Sequence, residues 1–201
     1  MSVENEQKIL ILASSSPRRQ QLLQALHLQF IVRASDADET TPPDISPDRT
    51  VEMLSLRKAQ QVFEQIQEQF IEGVVIGADT VVVYQDEILG KPRDADDAFR
   101  MLQLLQGQAH EVYSGVTCID IASGKISTAH RVTKVRMKAL DSHTMRRYIA
   151  TDEPLDKAGA YAIQGIGAVL IEGIEGDYFN VVGLPISLLS EQLSGFGIQI
   201  L

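Results

Sequence analysis

The sequence has a single cysteine, no tryptophan, and only 5% aromatic residues among its 201 positions. One cysteine excludes an intrachain disulfide and any zinc site built on several thiolates. That residue, Cys118, lies in the alternating run VTCID, which is typical of a strand. We therefore expect a buried, unreactive thiol rather than a nucleophile. With so few aromatic residues, the core must be built mainly from Leu, Ile, Val and Ala.

Positive charge is also scarce: 18 Lys and Arg stand against 27 Asp and Glu, for a formal net charge of −9. Affinity for a nucleic-acid backbone comes from clustered cations, so we expect no nucleic acid among the partners. A small anionic substrate stays open, because a few cations in one cleft can outweigh the overall charge locally. An acidic cleft could equally hold a divalent cation that carries the substrate phosphates.

Long hydrophobic runs are missing as well. No stretch approaches the roughly 18 apolar residues of a membrane span. The first ten residues, MSVENEQKIL, lack the basic start and the apolar run of a signal peptide. The sequence therefore predicts a cytoplasmic protein without membrane contact. Because it shows no repeat, low-complexity tract or linker, residues 1–201 are predicted to form one domain.

Strand and helix patterns alternate along the chain. KILILAS at 8–14 predicts a strand buried on both faces. The serines after it predict a helix capped by Ser16, with Pro17 in its first position. The β-branched run GVVIGADTVVVYQ at 73–85 is the strongest strand signal, and a mixed, twisted sheet flanked by helices is the predicted α/β fold. Further predicted elements are a long loop (35–50), a helix (51–70), a helix capped by Asp94, two long strands joined at 123–124, a helix (142–150), a strand (168–176), a loop (177–185) and a terminal helix.

The junction after the first strand carries Ser14, Ser16, Arg18 and Arg19. A strand that enters a helix through a serine-rich turn presents free backbone N–H groups and the positive helix end to an anion. Two arginines in the first helical turn oppose the helix dipole, which favours an anion as their partner. A capped helix with surface arginines is the structural alternative, and this segment alone does not separate the two.

Asp79 interrupts the β-branched run. A buried charge is costly unless it is paired, titrated or bound to a metal. We therefore predict a catalytic or metal-linked acid here, rather than a strand-end aspartate that bonds a turn. Lys91 follows the hairpin that ends this run and is expected near Asp79. Judged alone, Lys58 is typical of a surface charge on the long helix, and Glu39 of an acidic loop.

Several common sites are not indicated. His110 and His143 have no partner at metal-ligand spacing, and His27 in its leucine-rich helix is typical of a structural residue. The chain has no GxxxxGK[ST] motif, which excludes a P-loop. The GxG at 165–167 is too short for a dinucleotide fingerprint.

Four blocks together resemble the Maf family of nucleotide pyrophosphatases: LASSSPRRQQLL, GADTVVVYQDEILGKP, HEVYSGV and DEPLDKAGAYAIQGIGAVLIEGIEGDYFNVVGLP. They occur in the family's order along nearly the whole chain. The resemblance implies an elongated, two-lobed α/β fold related to inosine triphosphate pyrophosphatases, with a cleft between the lobes. It also implies hydrolysis between the α and β phosphates with a divalent cation, Mg²⁺ or Mn²⁺, and a homodimer.

The resemblance also assigns residues. The family's catalytic acid matches Asp79, and its acidic-loop glutamate, expected to bind the metal together with Asp79, matches Glu39. Its phosphate-binding serine, arginines and lysines match Ser14, Arg18, Arg19, Lys58 and Lys91.

Within the family, the residues at three positions differ between subgroups that act on different substrates. Members that act on dTTP and UTP carry residues corresponding to Arg18, Thr80 and Gln164, whereas the subgroup that acts on 7-methyl-GTP resembles SDQ and EG where this chain has ADT and QG. One departure is Ser114, where many members have Thr, but the hydroxyl is kept. The resemblance therefore implies the pyrimidine subgroup.

The predicted function is hydrolysis of dTTP and UTP to the nucleoside monophosphate and pyrophosphate, as a house-cleaning activity on nucleotide pools. The Gln164 amide offers a donor and an acceptor, which match the O4 acceptor and N3–H donor of uracil or thymine. Two alternatives stay open: a pyrophosphatase for another or modified nucleotide, and a nucleotide-binding regulator of septum formation that has kept the pocket without the chemistry.

Overall fold

A computed structural model describes residues 8–201, in which seven strands form one mixed sheet in the order β2-β1-β3-β5-β6-β7, with β4 paired to β3. Strand β1 is parallel to both of its neighbours and all other pairs are antiparallel. The α/β prediction with a mixed sheet is confirmed. The strands are β1 (Ile9–Leu12), β2 (Phe30–Val32), β3 (Gly73–Tyr84), β4 (Glu87–Leu89), β5 (Ala109–Asp120), β6 (Ile126–Met137) and β7 (Ile171–Glu175). The helices are α1 (Pro17–Ala25), α2 (Pro47–Ile66), α3 (Ala95–Leu105), α4 (Ser142–Ile149), α5 (Tyr178–Val182) and α6 (Ile186–Ser194).

The two faces of the sheet are covered differently. Helix α2 packs on one face, against alternate apolar residues of β1, β3 and β5. The opposite face carries two apolar clusters, one with α1 and α6 and the other with α3 and α4. Because side chains alternate along a strand, Thr80 and Ser114 lie on this second face, directly opposite each other on β3 and β5. A polar pair therefore lies between the two clusters.

One edge of β3 has a gap in its pairing. Strand β1 pairs with this edge at 73–76 and β4 pairs with it at 82–84, whereas β5 covers the other edge throughout. Residues 77–81 are thus left without a strand neighbour on one side. Asp79 and Thr80 lie in this gap and point to opposite faces. At residues 77–81 this edge of β3 therefore faces side chains of other elements instead of a neighbouring strand.

Two glycines let α2 approach the sheet closely. A Cβ at Gly77 would lie 2.3 Å from the backbone oxygen of Ser55, and a Cβ at Gly115 would lie 2.2 Å from that of Val51. Any larger residue at either position would push α2 away from β3 and β5. The glycines therefore set the distance between Asp79 and the side chains of α2.

The start of α2 differs from the prediction. The helix predicted at 51–70 runs from Pro47 to Ile66, because proline suits the first helical position. Helix α1 begins at Pro17 as predicted, and Ser16 is its N-cap residue, but the Ser16 side chain makes no capping bond.

Two predictions near the C-terminus are also wrong in their boundaries. The strand predicted at 168–176 begins only at Ile171, since the residues before it form a 3₁₀ turn. The predicted loop 177–185 contains α5, whose first turn is capped by the Asp177 carboxylate accepting from the Phe179 N–H at 2.8 Å. Within residues 8–201, no helix combines the length and apolar character needed to cross a bilayer.

Candidate active site

A cleft of about 740 Å³ opens beside the unpaired stretch of β3. Its volume falls in the range of small-molecule sites, roughly 300–1,000 Å³. Its walls come from the turn after β1, the acidic loop, α2, the β3–β4 hairpin and the segments 156–158, 161–164 and 181–183. All nine residues that the sequence analysis assigned to the site line this one cleft: Ser14, Arg18, Arg19, Glu39, Lys58, Asp79, Thr80, Lys91 and Gln164.

Asp79 is buried in the middle of β3, with 7% of its surface exposed, and is paired with Lys58. Lys58 Nζ lies 2.6 Å from Asp79 Oδ1 and 2.7 Å from Glu39 Oε1. The Lys58 side chain is 13% exposed, so the surface charge expected from the helix pattern alone is wrong. The hydrogen bond from Lys58 holds the pKa of Glu39 below its ordinary value. One ammonium is therefore held between two carboxylates.

The same two carboxylates are candidate ligands for a divalent cation. Both present an oxygen within 2.7 Å of one point, the Lys58 nitrogen. Mg²⁺ is commonly held by one or two carboxylates, while phosphates and water supply its other oxygens. Residues 8–201 contain no cluster of three or more His, Cys, Asp or Glu side chains that could hold a metal by themselves. A cation held by Asp79 and Glu39 would take its other ligands from phosphate or water oxygens.

Arg19 is tied into the protein by three hydrogen bonds. Its guanidinium donates to Gly183 O at 2.8 Å, to Ser14 Oγ at 3.1 Å and to Thr80 Oγ1 at 3.2 Å. Burial lowers the pKa of Arg19 from its ordinary value, and the nearby Asp79 carboxylate opposes that effect. Two of the five guanidinium N–H groups remain for an anion. Arg19 thus joins three segments of the chain while it faces the cleft.

A chain of hydroxyl groups continues from Arg19. Thr80 Oγ1 lies 2.8 Å from Ser114 Oγ, and Ser114 donates to the backbone oxygen of Asn180 at 2.9 Å. Because Ser114 has only one proton, Thr80 is the donor in the Thr80–Ser114 pair while it accepts from Arg19. The Thr80 proton is committed to the protein, so this hydroxyl can offer a ligand only a lone pair.

Cations outnumber acids in the cleft, five to three, although the whole chain carries a net charge of −9. A local excess of positive charge between protein walls favours an anionic ligand. The cations are Arg18, Arg19, Lys58, Lys91 and Lys157, and the acids are Glu39, Asp79 and Asp156.

The sequence analysis missed Lys157 and Asn180. Lys157 lines the cleft, donates to the backbone oxygen of Glu153 at 3.1 Å and pairs with the Asp156 carboxylate. Asp156 in turn lies 3.9 Å from Arg18, measured from Oδ2 to Nη1. Asn180 is fully buried, and its backbone oxygen accepts the hydrogen bond from Ser114 that ends the hydroxyl chain. Both lie in the late block of the resemblance, which was the signal that could have found them.

Cys118 and His110 are buried outside the cleft lining. The prediction that Cys118 is buried is confirmed, and burial raises the pKa of its thiol to about 12. Burial lowers the pKa of His110 to about 4, and its Nε2 lies 2.7 Å from the Tyr161 hydroxyl. His110 is therefore neutral at neutral pH and supports a cleft-lining tyrosine from behind.

The chain is similar in sequence to proteins of known name. The dTTP/UTP pyrophosphatase of Pelotomaculum thermopropionicum is 49% identical over 194 residues, which cover 96% of this chain and 100% of the relative. The dTTP/UTP pyrophosphatase of Desulforamulus reducens is 49% identical over 191 residues, covering 95% and 98%. A solved nucleoside-triphosphatase / dITP/XTP pyrophosphatase from Mycobacterium abscessus aligns over 94% of each chain, with 12% identity and a TM-score of 0.39.

The family assignment rests on the length of the match. A family model described as Maf-like protein matches residues 9–196, which include every element from β1 to α6 and every cleft residue named above. The chain belongs to the Maf family.

Proposed function

We propose that this protein hydrolyses dTTP and UTP to the nucleoside monophosphate and pyrophosphate. The observation that carries the proposal is the buried Asp79 carboxylate, 2.6 Å from Lys58 Nζ, in a cleft with an excess of cations. Relatives that are 45–50% identical and are named dTTP/UTP pyrophosphatases support the choice of substrates. A cytoplasmic location belongs to the proposal, because nucleoside triphosphates are made and used there. The homodimer stays a prediction from the resemblance.

The cations of the cleft bind the phosphates in this proposal. The triphosphate lies along Arg18, Arg19, Lys58 and Lys91, and negative charge builds on the pyrophosphate as the bond to the α phosphate breaks. Cations that are in place before the reaction stabilise this charge without further reorganisation. A Mg²⁺ or Mn²⁺ ion held by Asp79 and Glu39 would supply Lewis-acid stabilisation of the phosphate oxygens.

Asp79 has two roles open to it. Lys58 holds Asp79 Oδ1, which fixes the orientation of the carboxylate in the cleft. In the first role Asp79 orients and deprotonates the attacking water; in the second it is a ligand of the cation. Both roles use the oxygens of a carboxylate that is paired with the Lys58 ammonium.

Base choice is assigned to Gln164, which lines the cleft within AYAIQG. Its amide matches the O4 acceptor and N3–H donor of uracil and thymine, while cytosine presents the inverse pattern. Thymine adds one methyl group to uracil, and such a group is worth only about 1–3 kcal/mol in a pocket. Overlapping use of dTTP and UTP is the expected result.

We expect Gln164→Glu to lower kcat/KM for dTTP and UTP by roughly tenfold or more, because the substitution removes the donor that faces O4. Nucleotides with an N–H donor edge, such as 7-methyl-GTP, should lose less or gain. The measurement is kcat/KM on a nucleotide panel, with the exposed Gln199→Glu as a control of equal charge change. Equal slowing of every nucleotide would instead show that Gln164 positions phosphate or holds the loop.

Arg18→Ala and Lys91→Ala should each lower kcat/KM for UTP by about tenfold or more, since each removes a charged hydrogen-bond donor from the phosphates. Neither should change Tm by more than a few degrees, because Lys91 is exposed and the Arg18 partner, Asp156, is 67% exposed. The exposed Arg147→Ala on α4 serves as a control. A collapse of thermal stability would show that the two residues are structural.

One experiment tests the function as a whole. Pyrophosphate release is measured from a panel of nucleoside triphosphates with Mg²⁺ or Mn²⁺, and with the cation removed by chelation. Preferential, cation-dependent hydrolysis of dTTP and UTP supports the proposal. A stronger reaction with another or modified nucleotide would replace the substrate, and nucleotide binding without hydrolysis would favour a regulator.

A further inference from the structure

Two residues behind the cleft hold the segment that carries Gln164. Tyr148 on α4 is buried, and its hydroxyl donates to Glu153 Oε1 at 2.9 Å while it accepts from the Ala162 N–H at 3.1 Å. The Glu153 carboxylate also accepts from the Ile166 N–H at 3.0 Å and from the Gly167 N–H at 2.8 Å. Neither Tyr148 nor Glu153 lines the cleft.

These hydrogen bonds are placed on both sides of Gln164. Ala162 precedes it by two residues and Ile166 follows it by two residues. Gln164 itself lines the cleft, between two anchored backbone positions. The backbone at 162–167 is therefore held from behind by side chains that lie outside the cleft lining.

The two glycines of QGIG, Gly165 and Gly167, lie close to Glu153 and Tyr148. Gly165 has a φ of +67°, and a Cβ there would lie 2.4 Å from Glu153 Oε2. A Cβ at Gly167 would lie 2.5 Å from the Tyr148 hydroxyl oxygen. The positive φ favours glycine at 165, and the close approach of the Tyr148 hydroxyl and the Ala162 backbone oxygen favours glycine at 167. The motif is explained without any contact between its glycines and a ligand.

The charge state of Glu153 matches its three donors. Burial raises the pKa of Glu153, but the hydrogen bonds from Gly167, Ile166 and Tyr148 outweigh that effect and leave the pKa below its ordinary value. The carboxylate is therefore ionised at neutral pH and acts only as an acceptor. An ionised acceptor forms stronger hydrogen bonds than a neutral one.

We propose that Tyr148 and Glu153 are positioning residues for base recognition: together they fix the backbone at 162–167 and so aim the Gln164 amide at the nucleotide base. The inference rests on the proposed function, because it assigns an effect to Gln164 as the base-reading residue. It adds two residues that act on substrate choice through the backbone.

The test uses Tyr148→Phe and Glu153→Gln in the full chain. Hydrogen exchange should accelerate at the Ala162 amide in Tyr148→Phe, and at the Ile166 and Gly167 amides in Glu153→Gln. The Kd for UMP should weaken about fivefold or more in both variants, because the segment loses a hydrogen-bond partner and with it the fixed position of Gln164. The Kd for pyrophosphate should change less than twofold, since the phosphate-binding cations are untouched.

Two control variants remove the same groups elsewhere. Tyr113 donates to Glu111 Oε2 at 2.9 Å on β5, outside the cleft lining, so Tyr113→Phe removes a comparable tyrosine–glutamate bond. The exposed Glu172→Gln on β7 makes the same charge change as the second test variant. Neither control should alter exchange at 162–167 or the Kd for UMP.

The outcomes separate this inference from the proposed function. Wild-type affinity for UMP in both test variants would overturn the inference, even if amide exchange increases, and so would parallel weakening of UMP and pyrophosphate. A wild-type protein that neither binds UMP nor hydrolyses UTP would overturn the proposed function. In that case the amide-exchange measurements would still decide whether Tyr148 and Glu153 hold the segment.

Discussion

Replacement of Asp79 by asparagine should lower kcat for UTP by about 10²–10⁴-fold, the usual contribution of a general base. The substitution keeps the size of the side chain but removes the charge that, in the proposed function, activates water or binds the cation. Nucleotide binding should survive, because the arginines and lysines of the cleft remain. The measurements are pyrophosphate release under saturating UTP and the Kd of a non-hydrolysable UTP analogue.

Asp120 provides a matched control for this substitution. Like Asp79 it is buried, and it pairs with a lysine, with 2.7 Å between Lys8 Nζ and Asp120 Oδ1. Asp120→Asn should therefore reduce stability without reducing kcat, since its pair lies outside the cleft lining. Turnover near the wild-type level in folded Asp79→Asn would remove Asp79 from the mechanism.

The place of Asp79 in the cleft could be predicted from the sequence because its signal is local. A carboxylate inside a β-branched run is costly wherever the strand is buried, and β3 is buried along most of its length. The first-turn arginines gave a local signal as well, since they oppose the helix dipole. For Arg19 the structure shows a second reason for the placement: its hydrogen bonds to Ser14, Thr80 and Gly183 join distant parts of the chain.

Lys58 could not be predicted from its own segment. On a long amphipathic helix it is indistinguishable from a solvated charge, and its burial depends on the close approach of α2 to the sheet. That approach requires glycine at positions 77 and 115, which are far from Lys58 in sequence. At the level of sequence, only the resemblance to a known family assigns Lys58 to the site.

The hydrogen-bonded hydroxyl groups of Thr80 and Ser114 also depend on contacts between segments that are distant in sequence. Ser114 meets Thr80 because β3 and β5 pair in one register, and Asn180 is added by α5, in a segment predicted as a loop. No periodicity within a single segment contains this information. Sequence patterns predicted the elements and the fold class, while the network that joins them depends on register and helix approach.

Replacement of Lys58 by methionine should lower kcat for UTP by about 10²–10³-fold, the cost of removing one preorganised donor to a developing charge. The ammonium that is paired with Asp79, and that the proposed function places against the phosphates, is lost, while the unbranched apolar stem is kept. The Kd for Mn²⁺ without nucleotide should stay constant or tighten, because Lys58 competes with a cation for the oxygens of Glu39 and Asp79. A lower kcat together with an unchanged or tighter Kd for Mn²⁺ would show that Lys58 acts in catalysis, because a disrupted site would also bind Mn²⁺ more weakly.

Lys8→Met is the control for Lys58→Met, because it also removes a lysine from a pair with a buried aspartate, Asp120. Breaking such a pair leaves an uncompensated carboxylate, so both variants should be less stable than the wild type. Only Lys58→Met should lose turnover, and its loss should persist at temperatures well below its Tm. If Lys8→Met lost turnover to the same extent, reduced stability would explain both effects. Lys58 would then be a structural partner of Asp79 rather than part of the phosphate-binding machinery.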